Sequence, residues 1–548
     1  MSFRYSPSVP TRGGRVLQRL LDAVPGLLSV GIILGLALLS IFQPLAASAV
    51  MVGFLYYFLL KLLFTGIFLV IGFLQLWSEK RTPWLERIAD LYRPGSLEQL
   101  EALPRSRQLQ ERMALRHHRL NLRQLRRTAQ PLPALSHLLH AVIIPVFREQ
   151  RSVYEACVRS VAASQLPARE HVILVLAAEQ RGGEALRRDC GELREQWRGA
   201  FRDFLVFVHP EGLPGEIRGK SANDTWAGRH LAAWLDERGI DSADVLVSCL
   251  DADTQVPPGY FSCLTYSFLC CPSRLRASFQ PIPIFDNNIW NVPGPIRVLA
   301  MSSTVLQLTE STYMDMLVSF SSHSTSLRGL RDSGFWPVDM VAEDSAVYWQ
   351  SFVRFEGDFL VVPLPVAISM DAPEAEGLAA TIGTAYKQIR RWAFGAENFA
   401  VAARGLLACR RLSWTRRLAS LLKILELNVM WAAWPFILNI LTWLPQIGVL
   451  LNRSAQFAVF NFARLSVSVF RLTSLSMLLL VAISLLMATQ RQGRRIPWHK
   501  LLLYPLEWAL LLPFTTLVLN GIPALDAQLR LLSGRRLGYQ TVQKKRAT

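Results

Sequence analysis

Val245-Leu246-Val247-Ser248-Cys249-Leu250-Asp251-Ala252-Asp253 is the stretch that decides the fold. A short β-rich apolar run leads directly into two carboxylates at alternate positions. Runs of the same kind lie upstream at Ala141–Phe147, His171–Ala177 and Phe204–Val208. A helical stretch, Tyr154–Ser164, separates the first two, and another, Trp226–Trp234, precedes the fourth. Strands alternating with helices predict βαβ units, hence an α/β domain around a mostly parallel sheet. Such sheets bind ligands at the carboxyl ends of their strands, which is where Asp251 and Asp253 are expected.

The flanks of this domain have a different composition. The 548-residue chain is 51% hydrophobic with a net charge of +18. Its mean hydropathy is +0.25. Leu27–Phe42 and Leu45–Trp77 are almost purely apolar, separated by Gln43-Pro44. Roughly 20 apolar residues cross a bilayer, so these read as two spans joined by a tight turn, and the first as a span instead of a cleavable leader. Lys61 in the second span reads as a snorkelling or bundle-facing lysine, with a translocation path as the alternative. Further spans are expected at Leu427–Leu444, Thr473–Thr489 and Leu501–Ile522, and Ile447–Phe470 is a weaker candidate. The basic N-terminus places itself and residue 78 onward on the cytoplasmic side.

Both the loop Arg491–Lys500 and the tail Arg530–Arg546 are basic. One span between them would put them on opposite sides. Either Leu501–Ile522, with Pro505 and Pro513, is a broken re-entrant element, or one basic segment lies outside; a cytoplasmic tail is favoured. The Arg-rich stretch Arg105–Arg127 reads as an amphipathic juxtamembrane helix or a solvated linker. The basic runs lie beside hydrophobic segments without a nucleic-acid-binding motif, so the expected partner is anionic lipid and not nucleic acid. The seven cysteines form no CxxC pair, consistent with a reduced compartment. The expected units are 1–77 (tail and two spans), 78–139 (basic linker), 140–376 (α/β domain), 377–415 (interfacial helices), 416–530 (further spans) and 531–548 (basic tail).

In the Asp251-Ala252-Asp253 motif, one carboxylate can ligate a hard divalent cation whose shell is completed by substrate phosphates. An isolated motif of this kind is equally explained by an Asx turn. Further on come Glu343-Asp344 and Gln388-Ile389-Arg390-Arg391-Trp392. On a helix Gln388, Arg391 and Trp392 share a face. An interfacial helix with headgroup-binding arginines and a belt tryptophan is the plainer reading of that segment alone. Gly215–Ser221 (GEIRGKS) misses phosphate-loop spacing by one residue, so Lys220 is read as reaching a ligand from a loop or as an ordinary surface lysine. His323 reads as a structural histidine or an acceptor-site residue. Asn287, Asn288 and Trp290 suit a substrate loop.

Taken in order, these segments resemble the membrane-embedded, processive family-2 inverting glycosyltransferases of GT-A fold, such as cellulose, hyaluronan and chitin synthases. AVIIPVFREQ (Ala141–Gln150) is similar to the family's opening strand and turn. RGKSAND (Arg218–Asp224) is similar to its Gly-Lys-x-x-Asn segment, and GFWPVDMVAED (Gly334–Asp344) to its Thr-Glu-Asp stretch. QIRRW fits QxxRW at every specified position. Two departures stand out: Glu179 replaces an Asp pair after the second strand, and Ala342 replaces the threonine.

The resemblance implies a Rossmann-like cytoplasmic domain in a multi-pass inner-membrane protein. Asp344 would act as general base, with Glu343 orienting the acceptor or the base. Asp251 and Asp253 would hold Mg²⁺ or Mn²⁺. Pro145, Glu149, Glu179, Lys220, Asp251, Gln388 and Arg391 would hold a nucleotide-diphospho-sugar, by presumption a UDP-sugar, and Trp392 the acceptor. The implied activity is extension of a glycan with inversion and translocation, with room for accessory membrane subunits. A single transfer to a lipid acceptor and a degenerate membrane scaffold are the alternatives.

Overall fold

The computed structural model describes residues 3–103, 106–128, 130–313, 317–452, 456–489 and 496–537. Its centre is a seven-stranded sheet of β1 Leu139–Val146, β2 Val172–Glu179, β3 Asp203–His209, β4 Val245–Cys249, β5 Ala277–Ile284, β6 His323–Ser326 and β7 Leu360–Ser369. The strand order is β3-β2-β1-β4-β6-β5-β7. All pairings are parallel except those of β6, which runs antiparallel to β4 and β5. The sheet is therefore mixed and mostly parallel.

The central strands are apolar on both faces because both faces are covered. Val142, Ile144 and Val146 point into one core with Leu174 and Leu176, while Ala141 and Ile143 point into the other with Val175 and Val247. Each buried Val, Leu or Ile contributes about 1.5–3 kcal/mol relative to exposure. The helices Arg151–Ala162, Gly183–Gln196 and Lys220–Asp236 make the crossovers. β1 lies between β2 and β4, so the chain winds outward in both directions from it. The crevice at that switch point opens at the ends of β1, β2 and β4.

β5, β6 and β7 carry no apolar alternation, and the sequence reading did not anticipate them. β5 contains Pro281 and Pro283, and β7 contains Pro363 and Pro365. Proline cannot donate to a ladder. It is tolerated here because β7 is an edge strand, β5 pairs with β6 only at Ser278 and Phe279, and the β5–β7 register shifts between Gln280 and Ile282.

Among the described residues four helices are long and apolar enough to cross a membrane: Arg12–Phe42, Pro44–Glu79, Trp414–Asn439 and Trp498–Ser533. The first begins at Arg12, well before Leu27, because Thr11 caps it by accepting from Gly14 N–H. Gln43 ends it and Pro44 opens the next, as the turn required. Lys61 pairs with Glu426 at 2.5 Å, which ties the second helix to the third; it faces the bundle. Ile447–Phe470 is divided between Leu444–Asn452 and the first half of Gln456–Ala488.

Leu501–Ile522 is not broken. The helix continues from Trp498 to Ser533, passing through a π turn at Thr515–Gly521, where Pro523 has no N–H for the carbonyl four residues back. This helix touches the α/β domain along its first half and the Gln388-bearing helix near its end. Lys500 donates to the Trp290 carbonyl (2.6 Å) and Glu507 pairs with Arg297 (2.5 Å). Asp526 accepts from Tyr386 (3.2 Å) and Arg390 (3.0 Å). Residues 491–495 of the basic loop and 538–548 of the tail lie outside the described residues.

The Arg-rich linker stretch is a helix, Leu109–Thr128, that packs on protein. Ala114, His118 and Leu122 are buried, and His118 lies 2.8 Å from the Tyr266 hydroxyl. Helix Leu378–Ala393 ends at a short turn, Phe394–Glu397, before Asn398–Ala408 resumes. The N-terminal segment docks on the same domain through Tyr5–Asn398 (3.2 Å) and Ser6–Asp339.

Candidate functional site

At the crevice, one cleft of about 260 Å³ is lined by all eleven residues singled out from sequence for donor, acceptor, metal or base roles. Pro145 and Glu149 come from β1 and its turn, Glu179 from the end of β2, and Asp251 and Asp253 from just past β4. Lys220, Glu343, Asp344, Gln388, Arg391 and Trp392 come from three helices.

The centre of the cleft is a buried lysine among carboxylates. Lys220, 7% exposed, is the first residue of a helix and not part of a loop. Its Nζ lies 2.7 Å from Asp251 Oδ1, 3.3 Å from Asp344 Oδ1 and 3.7 Å from Glu343 Oε1. Burial alone would lower its pKa, but the Asp251, Asp344 and Glu343 charges outweigh burial and hold it well above the ordinary lysine value. Local stitching sets this position: Thr225 donates to the Trp336 carbonyl (2.8 Å), and Ile217 N–H donates to the Val338 carbonyl (2.9 Å). The start of one helix is thereby fixed against the loop that leads into the other.

Glu343 and Asp344 open the helix Glu343–Arg354, where the helix dipole favours negative charge. Ala342 at the N-cap offers no side-chain cap. Glu343 is buried, and its pKa is pushed up to about 7, first by burial and then by Asp344, against the pull of Lys220 and Arg391. Asp224, beneath Lys220, is driven well above the carboxylate range by burial and accepts from the Cys249 thiol at 3.1 Å.

Ser321 donates to Asp251 Oδ2 at 2.5 Å. Asp253 Oδ2 accepts from Asp371 N–H (3.0 Å), and its carbonyl accepts from Asn287 (3.1 Å). Asn287 thus braces the segment following Met370 against the aspartate turn, and Asn288 holds that segment at Ala372. Among the described residues no three His, Cys, Asp or Glu groups converge as a metal cage. A hard dication completed by phosphate oxygens needs only one or two protein carboxylates, and Asp251 and Asp253 fit that donor set. Asp251 is already paired with the Lys220 ammonium at 2.7 Å and accepts from Ser321, so a bound cation would share this carboxylate with them.

The Gln388–Trp392 helix divides its arginines. Arg391 faces the cleft with Gln388, while Arg390 pairs with Asp526 of the long apolar helix. Trp392 lies against Phe320 (5.6 Å, edge-on) and Phe285 (6.3 Å). Trp431, from helix Trp414–Asn439, completes that wall and donates to Asn520 at 2.6 Å. Nothing in the sequence marked Trp431, a tryptophan within an apolar helix.

Other placements revise the reading. The Glu149 carboxylate accepts from the Phe147 and Arg148 N–H groups (2.8 and 3.1 Å), so it shapes its own turn. Glu179 pairs with Arg181, whose guanidinium lies 4.4 Å over the Phe147 ring. Burial raises the Glu179 pKa even so. His323 is buried: Trp336 Nε1–H donates to its Nε2 (3.4 Å), leaving Nδ1–H for the Ser321 carbonyl (3.2 Å), with Asp344 Oδ1 3.9 Å away. Trp290 donates to the Ala488 carbonyl (3.2 Å) and serves helix packing. All seven cysteines are free.

No family model matches the chain, and neither does any curated protein. Solved structures similar to it include mannosyltransferase PcManGT from Pyrobaculum calidifontis in complex with GDP-Man and Mn2+, 14% identical, covering 68% of this chain and 94% of that one, at TM-score 0.40. TarS 1-349 of S. aureus is 11% identical, covering 61% and 92%, at TM-score 0.32. GalNAc-T7 with UDP, GalNAc and Mn2+ is 13% identical, covering 56% and 57%, at TM-score 0.29. Likenesses this weak establish neither fold nor activity by themselves.

Proposed function

We propose that the chain is a membrane glycosyltransferase that moves a sugar from a nucleotide-diphospho-sugar to an acceptor hydroxyl with inversion. The observation that carries this reading is the convergence of Lys220, Asp251, Asp253, Asp344, Gln388, Arg391 and Trp392 on one cleft. Phosphate-directed cations, paired carboxylates and a flat aromatic wall are the parts that such a transfer requires.

The roles follow from chemistry. Asp344 takes the proton of the acceptor hydroxyl as its oxygen attacks the anomeric carbon. The bond from that carbon to the diphosphate oxygen breaks, and the electron pair leaves with the nucleoside diphosphate. A single in-line displacement inverts the centre. Arg391 can fork to diphosphate oxygens and Gln388 can donate to them. Lys220 holds Asp251 and Asp344 in register through its two short contacts. Trp392, edged by Phe320, offers a platform for a sugar face. Asp251 and Asp253 would hold Mg²⁺ or Mn²⁺, which when bound neutralises the leaving diphosphate.

Trp431 in the cleft wall favours an acceptor that meets the membrane helices. A growing glycan passed between helices satisfies this, and so does a single lipid-linked acceptor. The lipid-linked reading is supported by the exposed apolar face of Leu502, Leu506 and Leu510 on the helix that touches Trp431 through Asn520. In both readings the domain is cytoplasmic at the inner membrane. The test gives purified protein a panel of nucleotide sugars with Mg²⁺ or Mn²⁺ and follows nucleoside-diphosphate release and product size. Long polymer supports extension, and a one-sugar glycolipid supports the lipid acceptor. No turnover of any donor, or turnover unchanged in Asp344→Asn, refutes the proposal.

A further inference from the structure

Away from the cleft, a second cavity of about 420 Å³ lies where the first apolar helix begins and the last one ends. Arg15, Arg19, Arg535 and Arg536 line it, against a single acidic residue, Asp22. Gln18 donates to Asp22 (2.8 Å), and Arg19 caps the Leu531 and Leu532 carbonyls. Arg15 donates to the Pro10 carbonyl at 2.6 Å. Arg19 and Arg15 are therefore held in place by the fold. Among the described residues the side chains of Arg535 and Arg536 make no hydrogen bond or salt bridge. Their turn is nonetheless fixed, because Arg535 N–H closes on the Arg530 carbonyl (2.8 Å) and Gly534 adopts the left-handed conformation (φ 78°) that ends the helix.

Four guanidiniums against one lining carboxylate, with Arg536 also attracted by the nearby Asp339 and Glu397, form a site for a multiply hydrogen-bonded oxyanion. The surroundings indicate the source of that anion. Val16, Leu17 and Leu20, on the same helix as Arg15 and Arg19, are 56%, 43% and 63% exposed. The apolar helix then continues for about six more turns to Phe42. Arginines at the boundary between an exposed apolar helix and a polar domain sit at headgroup depth.

We propose that this cavity binds the phosphate of an anionic lipid headgroup, anchoring the junction of the first and last helices to the bilayer surface. Free phosphate is the other source with the same chemistry. The site is linked to the loop that leads to the candidate base: Pro7 and Ser8 line the cavity, Ser6 bonds Asp339, and Asp339 precedes Glu343 on that loop.

The test uses the full chain in detergent, titrated with phosphatidylglycerol, phosphatidylcholine or inorganic phosphate, with retained adducts read by native mass spectrometry. Phosphatidylglycerol should be retained over phosphatidylcholine, and retention should weaken at least about tenfold in Arg535→Gln/Arg536→Gln and in Arg15→Gln. Arg198→Gln/Arg238→Gln, on the α/β domain surface, should leave it unchanged. Retention of inorganic phosphate in place of lipid, lost in the same variants, supports the site with a soluble anion as its ligand. Equal retention of both lipids without phosphate binding, or retention that survives both sets of cavity variants, overturns the proposal.

Discussion

Lys220→Met is the sharpest perturbation of the cleft. The substitution keeps the unbranched stem and removes the ammonium, which lies 2.7, 3.3 and 3.7 Å from three carboxylates. At 7% exposure, solvent cannot replace the lost charge. Removing one partner of a buried ion pair costs about 3–5 kcal/mol, because the remaining charges stay buried and uncompensated. For a domain of about 240 residues that corresponds to a fall in apparent Tm of roughly 6–20 °C. The assay is thermal unfolding of the purified chain at pH 7.5 and a fixed scan rate, repeated with Asp251→Asn and with the double variant. The two single losses should not add, since both break the same contact; a coupling of about 1 kcal/mol or more is expected. Millimolar Mn²⁺ should restore more of the Lys220→Met deficit than it adds to the wild type, because the cation enters where positive charge was removed. A Tm within about 1 °C of wild type, or strictly additive losses, would refute the view that Lys220 holds these carboxylates together.

Asp344→Asn should leave donor binding intact and lower kcat about 10²–10⁴-fold, measured as nucleoside-diphosphate release beside isothermal titration of the donor. Trp392→Ala should raise the acceptor KM with a smaller change in the donor KM, checked by varying each substrate in turn. Glu397, buried and accepting from Val341 N–H (2.8 Å), is pushed up to about 8, mainly by burial. With its folded pKa above the unfolded one, the native state holds the proton longer, so stability falls as pH rises from about 4.5 to 8. Tm measured across that window should therefore decline, and Glu397→Gln should flatten the decline by an amount on the order of a few kcal/mol.

How far the sequence carried depends on the signal each part left. β1, β2 and β4 were legible because each is a short apolar run buried on both faces, and β3 because it keeps such a run although half-buried at the sheet edge; the end of β4 placed Asp251 and Asp253 at the crevice. β5 and β7 were not, since prolines mark them as loops until the edge position, the short pairing with β6 and the shifted β5–β7 register are known. β6, His323–Ser326, is polar and only four residues long. The chemistry-bearing residues could be named because carboxylate, lysine and QxxRW spacings are local. What holds them was hidden, because Ser321 on Asp251 and Trp431 in the cleft wall are contacts across many tens of residues. The turn contacts of Glu149 were hidden for a related reason: a carboxylate that lines the cleft and also closes its own turn looks, in sequence, only like one offered to a ligand.

Helix Trp498–Ser533 ties several elements together at once. It meets Trp290 at Lys500, Arg297 at Glu507, the Pro295 carbonyl at Thr515 (3.4 Å), Trp431 at Asn520 and Arg390 at Asp526. Arg19 then closes on Leu531 and Leu532. Trp290, Pro295 and Arg297 belong to the α/β domain and Arg390 to the helix that carries Gln388, whereas Trp431 and Arg19 belong to two other long apolar helices. The exposed leucines at 502, 506 and 510 form an apolar face of the same helix. Through Asn520 and Asp526 this one helix holds both Trp431 and the Arg391-bearing helix, so the cleft wall is set by contacts between the apolar helices and the α/β domain together.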